Sequence, residues 1–251
     1  MNLETIKIPN RFRGPPASGN GGYVCGVVAG LLELSDRTAD DRAPQVTLRS
    51  PVPLDTPLEV NRDNDLLTVR HGDTLIAEAC RVPLAMPIPS APSFAVAREA
   101  QAQSPALIRN ISRRFPNRIG VHPVCFCCGA EHGEGLRVHA APIAGSDVVA
   151  AAWETNRSWA DASGNLPASF VWTALDCPGQ FAYHAAGIRT GMLGRLSAVI
   201  DRPIAAGERC VVLGWRIGVE GRRHYAGTAV FDAQGTLCAH AKAVWVGVRE
   251  G

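Results

Sequence analysis

The chain has 251 residues, enough for one large domain or two of about 120 each. Its net charge of +2 argues against nucleic acid or an anionic membrane surface as partner, and 46% hydrophobic against 19% charged residues describes an ordinary globular chain with a generous core. No apolar run approaches the roughly 18 residues that span a bilayer, and residues 1–9 lack a cationic stretch followed by an apolar one, so a cytoplasmic protein without a leader is expected.

Residues 3–9 read as a short strand, and 11–22, rich in Gly, Pro, Ser and Asn, as a loop. A helix follows over 23–34, with Asn20 near its N-cap and Gly21-Gly22 opening it. Its small residues Gly26, Ala29 and Gly30 would let a neighbour pack close. Strand-like runs cover 45–60, 65–71 and 74–84, the last two joined by hairpin chemistry at His71-Gly72-Asp73. Residues 85–117 carry many prolines among Ala and Ser and read as a linker, with 94–103 able to make a helical turn or two.

Strands are expected at 135–140 and 147–154. Residues 166–184 then read as one buried helix, apolar on nearly every side. One carboxylate, Asp176, sits in the middle of it. A buried charge needs a partner, a raised pKa or an opening to a ligand. Pro178 removes the N–H that would bond Ala174, so Asp176 also reads as a group that satisfies the backbone at a kink. His184 reads as a helix-end histidine. Strands at 194–204, 209–219, 222–232 and 236–248 complete the chain.

The two halves repeat each other: strand, loop, long apolar helix, antiparallel strands. Gly72-Asp-Thr-Leu-Ile-Ala-Glu-Ala parallels Gln234-Gly-Thr-Leu-Cys-Ala-His-Ala, and the stretch from Val46 parallels the stretch from Leu193. This is the pattern of a duplicated α+β unit, residues 1–84 and 118–251 joined by 85–117, each half a helix wrapped by a curved antiparallel sheet.

Three phrases resemble the hotdog-fold superfamily, and within it the double-hotdog acyl-CoA thioesterases. They are Phe12-Arg-Gly-Pro with Asn20-Gly-Gly-Tyr23, Pro51-Val-Pro-Leu-Asp-Thr-Pro-Leu, and Cys125-Phe-Cys-Cys-Gly129 with Gly135-Leu136. The resemblance covers nearly all the chain outside the linker. It implies a double hotdog, an acyl-CoA ligand, no cofactor and no metal, and it allows a homodimer of double hotdogs. In the thioesterases of this kind a His-Gly-Gly phrase opens the helix and an acid about two and a half turns later acts as base or nucleophile. Asp176 lies nine residues after Pro167, so Pro167-Ala168-Ser169 stands where His-Gly-Gly is expected. In the first half Asn20-Gly21-Gly22 fits the opening, but the residue nine on is Ala29, and Glu33 lies a turn too far.

Each half therefore keeps one part of a site, and the resemblance implies a single composite one: Asp176 and Asn20 as catalytic groups, with Gly21, Gly22 and Tyr23 on the substrate. Backbone N–H groups of Gly22 and Tyr23 at the positive helix end would hold a thioester oxyanion. Asp176 would activate water or attack directly. Ser197 and Arg195, on the following strand, are further substrate-binding candidates. A non-catalytic acyl-CoA or lipid-binding protein is the alternative, since each half lacks one component. His122, Cys125, Cys128 and His132 bring four potential ligands into eleven residues, but one compact cluster reads as a structural turn before it reads as a metal site. The arginines 109, 113, 114 and 118 could face phosphates or solvent.

Overall fold

A computed structural model describes residues 4–35, 42–108 and 121–247. Residues 109–117 of the expected linker, Arg109, Arg113, Arg114 and Arg118, and the Glu33 side chain lie outside the described set.

Among the described residues, eleven strands form one antiparallel sheet. They are β1 (Glu4–Lys7), β2 (Ala43–Leu48), β3 (Pro57–Asp63), β4 (Leu66–His71), β5 (Thr74–Val82), β6 (Ala141–Pro142), β7 (Val148–Glu154), β8 (Met192–Ile200), β9 (Arg209–Glu220), β10 (Arg223–Asp232) and β11 (Leu237–Val246). Their spatial order is β1-β3-β4-β5-β2-β8-β11-β10-β9-β7-β6. The order is nearly palindromic about the β2–β8 seam, where Gln45, Val46 and Thr47 pair with Ser197, Leu196 and Arg195. The run at 45–60 is broken because Pro51 and Pro53 cannot serve an interior ladder. The loop they make is tied to the chain before the first helix by Gly19 N–H on the Val52 carbonyl at 3.0 Å and Val52 N–H on Ser18 Oγ at 2.9 Å.

Helix α1 (Gly21–Ser35) starts two residues before the expected boundary and packs on β2 and β5. A short α2 (Phe94–Ala100) is capped by Ser93, whose side chain accepts from Val96 N–H. It covers the outer face of β7 and β9, with Ala97, Val148, Ala150, Ala152, Leu213 and Phe231 in one buried cluster. That cover explains why β7 is apolar without alternation: Val149, Ala151 and Trp153 face the main core while Val148, Ala150 and Ala152 face α2.

The expected helix over 166–184 is two helices, α3 (Ala168–Ala174) and α4 (Cys177–Ala185). The break falls at Leu175-Asp176, and Pro178 sits in the first turn of α4, where its missing N–H costs nothing. The α3 helix packs across α1, and α4 packs on β9, β7 and β10. The strand expected at 135–140 is absent. Arg137 has a φ of 58°, and the segment is held by Leu136 N–H on the Phe126 carbonyl and Val138 N–H on the Cys127 carbonyl instead of by a ladder. The chain there is moulded to the cysteine turn, and only β6 at its end joins the sheet.

Candidate active site

Asn20 closes the N-terminus of α1. Its Oδ1 accepts from Tyr23 N–H at 2.8 Å, and its own carbonyl accepts from Val24 N–H at 3.0 Å. The same side chain reaches the second half: Nδ2 donates to Asp176 Oδ2 at 3.0 Å and approaches Cys125 Sγ at 3.5 Å. Gly22 N–H donates to Asp176 Oδ2 as well, at 2.9 Å. The carboxylate carried between α3 and α4 thus lies on the positive end of α1. Its other oxygen, Oδ1, is buried and has no hydrogen-bond partner among the described residues.

This approach depends on small residues in α1. A Cβ on Gly22 would stand 2.7 Å from Asp176 Cβ and 2.7 Å from the Trp172 carbonyl oxygen, and one on Gly26 2.6 Å from Ser169 Cα. Burial pushes the Asp176 carboxyl up to about 7; negative charge at Cys125 adds to the rise, and the Gly22 and Asn20 hydrogen bonds oppose it.

The helix break decides where Asp176 points. Asp176 makes no side-chain cap on α4. Its carboxylate therefore does not serve the kink; it crosses to α1. The carbonyl of Leu175, freed at the break, accepts instead from Thr228 Oγ1 of β10 at 2.8 Å. Replacing Thr228 by Val strands that buried carbonyl, and a stability loss of about 1–2 kcal/mol is expected in urea unfolding. An unchanged midpoint would show that this bond does not hold the break.

Asp176 lines a largely apolar cavity of about 680 Å³. Its walls come from distant parts of the chain: residues 14–21 and 48–52 on one side, and Cys125, Cys177, Leu193 and Trp245 on the other. A larger cavity, about 920 Å³, lies elsewhere between Arg11, Arg98, Arg137 and the rings of Phe126, Trp159 and Phe170. It is more polar and does not include Asp176, so the apolar cavity is the candidate site.

The structure brings Asp176, Asn20, Gly21 and Gly22 together. The two amides expected to hold an oxyanion are both engaged, Gly22 N–H with Asp176 and Tyr23 N–H with Asn20. The Tyr23 ring is stacked on Phe12 at 3.8 Å, away from the cavity lining. Arg195 and Ser197 stand on the seam, where Arg195 Nε donates to Thr47 Oγ1 at 3.0 Å and Ser197 Oγ to Gln45 Oε1 at 3.2 Å. Neither lines the cavity. His184 is buried in the last turn of α4 with its ring tilted against Phe181. Of the expected ligand cluster, His132 is buried with both ring nitrogens engaged by backbone: Glu134 N–H donates to its Nδ1 at 3.1 Å, so its Nε2 carries the proton given to the Arg11 carbonyl at 2.7 Å. Thr228 and Trp245 escape sequence reading, because nothing in an alternating strand tells which polar or aromatic residue will meet a helix break or a cavity.

Among solved structures, the chain is similar over nearly its full length to a proposed thioesterase from Novosphingobium aromaticivorans, with 12% identity, 98% of this chain and 95% of that one covered, and a TM-score of 0.62. It is also similar to a conserved protein with a hot dog fold from Alicyclobacillus acidocaldarius, at 10% identity, 98% and 93% coverage and a TM-score of 0.58. The fold is a hotdog fold. The chain is also similar in shape to the tesB protein of Mycobacterium avium subsp. paratuberculosis, at 14% identity, 99% and 96% coverage and a TM-score of 0.57. No protein-family model and no curated protein matches the sequence. No helix among the described residues is long and apolar enough to cross a membrane.

Proposed function

We propose that this chain hydrolyses an acyl thioester, with acyl-CoA as the substrate class, at one composite site between two hotdog units. The units are residues 1–84 and 118–251, joined by 85–117. The near-palindromic strand order about β2–β8 supports the duplication. The observation that carries the function is the Asp176 carboxylate seated on the N-terminus of α1, with Oδ2 held by Gly22 and Asn20, Oδ1 without a partner among the described residues, and the residue itself lining an apolar cavity.

The chemistry follows from that asymmetry. Oδ1 takes a proton from water as the water oxygen attacks the thioester carbonyl. The positive end of α1, where Gly21 lines the cavity, stabilises the oxyanion. Collapse of the tetrahedral intermediate expels the thiolate, which takes the proton back from Asp176. The apolar walls accept the acyl chain and exclude bulk water.

A second reading, a non-catalytic acyl-CoA or lipid-binding protein, is favoured by one fact: the Gly22 and Tyr23 amides are already engaged. A panel of acyl-CoAs of graded chain length separates the two, with free thiol released on hydrolysis as the readout. Steady turnover of at least one member is expected. Calorimetric binding across the panel without thiol release would replace hydrolysis by the second reading.

A further inference from the structure

Beside the Asp176–Asn20 contact lies a concentration of sulfur that hydrolysis does not use. Cys125, Cys128 and Cys177 are all buried, and their Sγ atoms lie within 4.8 Å of one another. Cys125 and Cys177 Sγ are 3.8 Å apart. That is far outside the roughly 2.05 Å of a disulfide. It matches the edge of a tetrahedron about a metal with metal–sulfur bonds of about 2.3 Å, which is roughly 3.8 Å.

The local chain is shaped to present these thiols. Cys125 N–H donates to the His122 carbonyl and Gly129 N–H to the Cys125 carbonyl, folding a tight turn around the Cys-x2-Cys pair. Gly129 is required there, because a Cβ would fall among Pro123 O and the Cys125 backbone. The third thiol arrives from the first residue of α4, 52 positions away from Cys125. The sequence spacing offered one compact cluster with histidines. The fold replaces His132 with a thiol from a separate element, and so assembles a Cys-x2-Cys pair and one remote thiol, three protein donors that leave a fourth position of a tetrahedral zinc open.

We propose that Cys125, Cys128 and Cys177 bind one Zn²⁺ ion through their thiolates, with the fourth coordination position toward the apolar cavity. Soft thiolate donors select zinc over magnesium or calcium. Binding releases whatever protons the three thiols still carry. Cys125 and Cys177 line the cavity, so a water or a thiol sulfur can complete the tetrahedron from there. The Asn20 amide, 3.5 Å from Cys125 Sγ, donates to one of the ligating sulfurs. The ion ties the 125–129 turn to the start of α4, one residue from Asp176. This site stands independently of thioester hydrolysis, and its test is read without turnover.

The full chain, purified with a reductant and without chelator, is expected to carry one zinc per chain by elemental analysis. In competition with a chromogenic chelator, Cys128→Ser and Cys177→Ser should each weaken zinc at least about tenfold. Cys210→Ser, a buried thiol outside the cluster, should bind as the parent chain does. The proposal is overturned by a parent chain that takes up no zinc at micromolar free ion, by zinc held equally well in both ligand variants, or by a Cys125–Cys177 disulfide as the stable form, seen as a 2 Da loss in the intact mass.

Discussion

An Asp176→Asn chain is expected to keep its fold and to lose thioester hydrolysis, with kcat lower by roughly 10²–10⁴-fold. The amide has the shape of the carboxylate, and its oxygen still accepts from Gly22 N–H, which now holds Oδ2 at 2.9 Å. What it lacks is a basic Oδ1. KM should change little, because the apolar walls that would hold the acyl chain are untouched. Stability should not fall: burial lifts the carboxyl to about 7, so above its ordinary range the charge costs folding free energy, and the neutral amide removes that cost. Parallel measurement of steady-state hydrolysis and thermal unfolding separates the two effects. Full activity in the Asn variant would remove Asp176 from the mechanism.

The second large effect is steric. Gly22→Ala should destabilise the chain by about 3 kcal/mol in urea unfolding. The added carbon would meet Trp172 O and Thr173 Cα, which are backbone, as well as Asp176 Cβ, and backbone cannot turn aside as a long side chain can. The same substitution should lower hydrolysis, because α1 must move away from the carboxylate it holds. Gly26→Ala presses on Ser169 Cα at 2.6 Å and should behave alike in stability. Gly30, about one turn beyond Gly26, has nothing within 4 Å of its would-be Cβ. Gly30→Ala should therefore stabilise the chain by about 0.5–1 kcal/mol through helix propensity alone. If all three substitutions had the same sign, the close crossing of α1 and α3 would not be the cause.

The elements of this protein were legible where one residue's chemistry dominated its neighbourhood. Asn20 before two glycines marks the start of α1, and Gly72, at a φ of 55°, marks the β4–β5 hairpin. Pro178 announces a disturbance after Asp176, but not that α3 and α4 are separate helices with the carboxylate turned toward α1. The apolar residues of the 135–140 segment suit a strand, but its hydrogen bonds go to the cysteine turn. Alternation failed in β7 because α2 covers its second face, which composition alone cannot announce. Asp176, Asn20 and Gly22 were each visible as residues out of place: a lone acid in an apolar run, a cap, and a glycine where a helix begins.

By itself the sequence determined the local grammar: two apolar helical stretches, the Asn20 cap of the first, and the hairpin turns. These are short-range effects, set by backbone dihedrals, missing N–H groups and hydrophobic spacing. Only the tertiary structure decided what meets what. Asp176 and Gly22 are 154 positions apart, and Cys125 and Cys177 are 52 apart. Such encounters depend on the β2–β8 seam and on how closely two helices can cross, and the crossing distance is fixed by atoms that are absent, the Cβ atoms of Gly22 and Gly26.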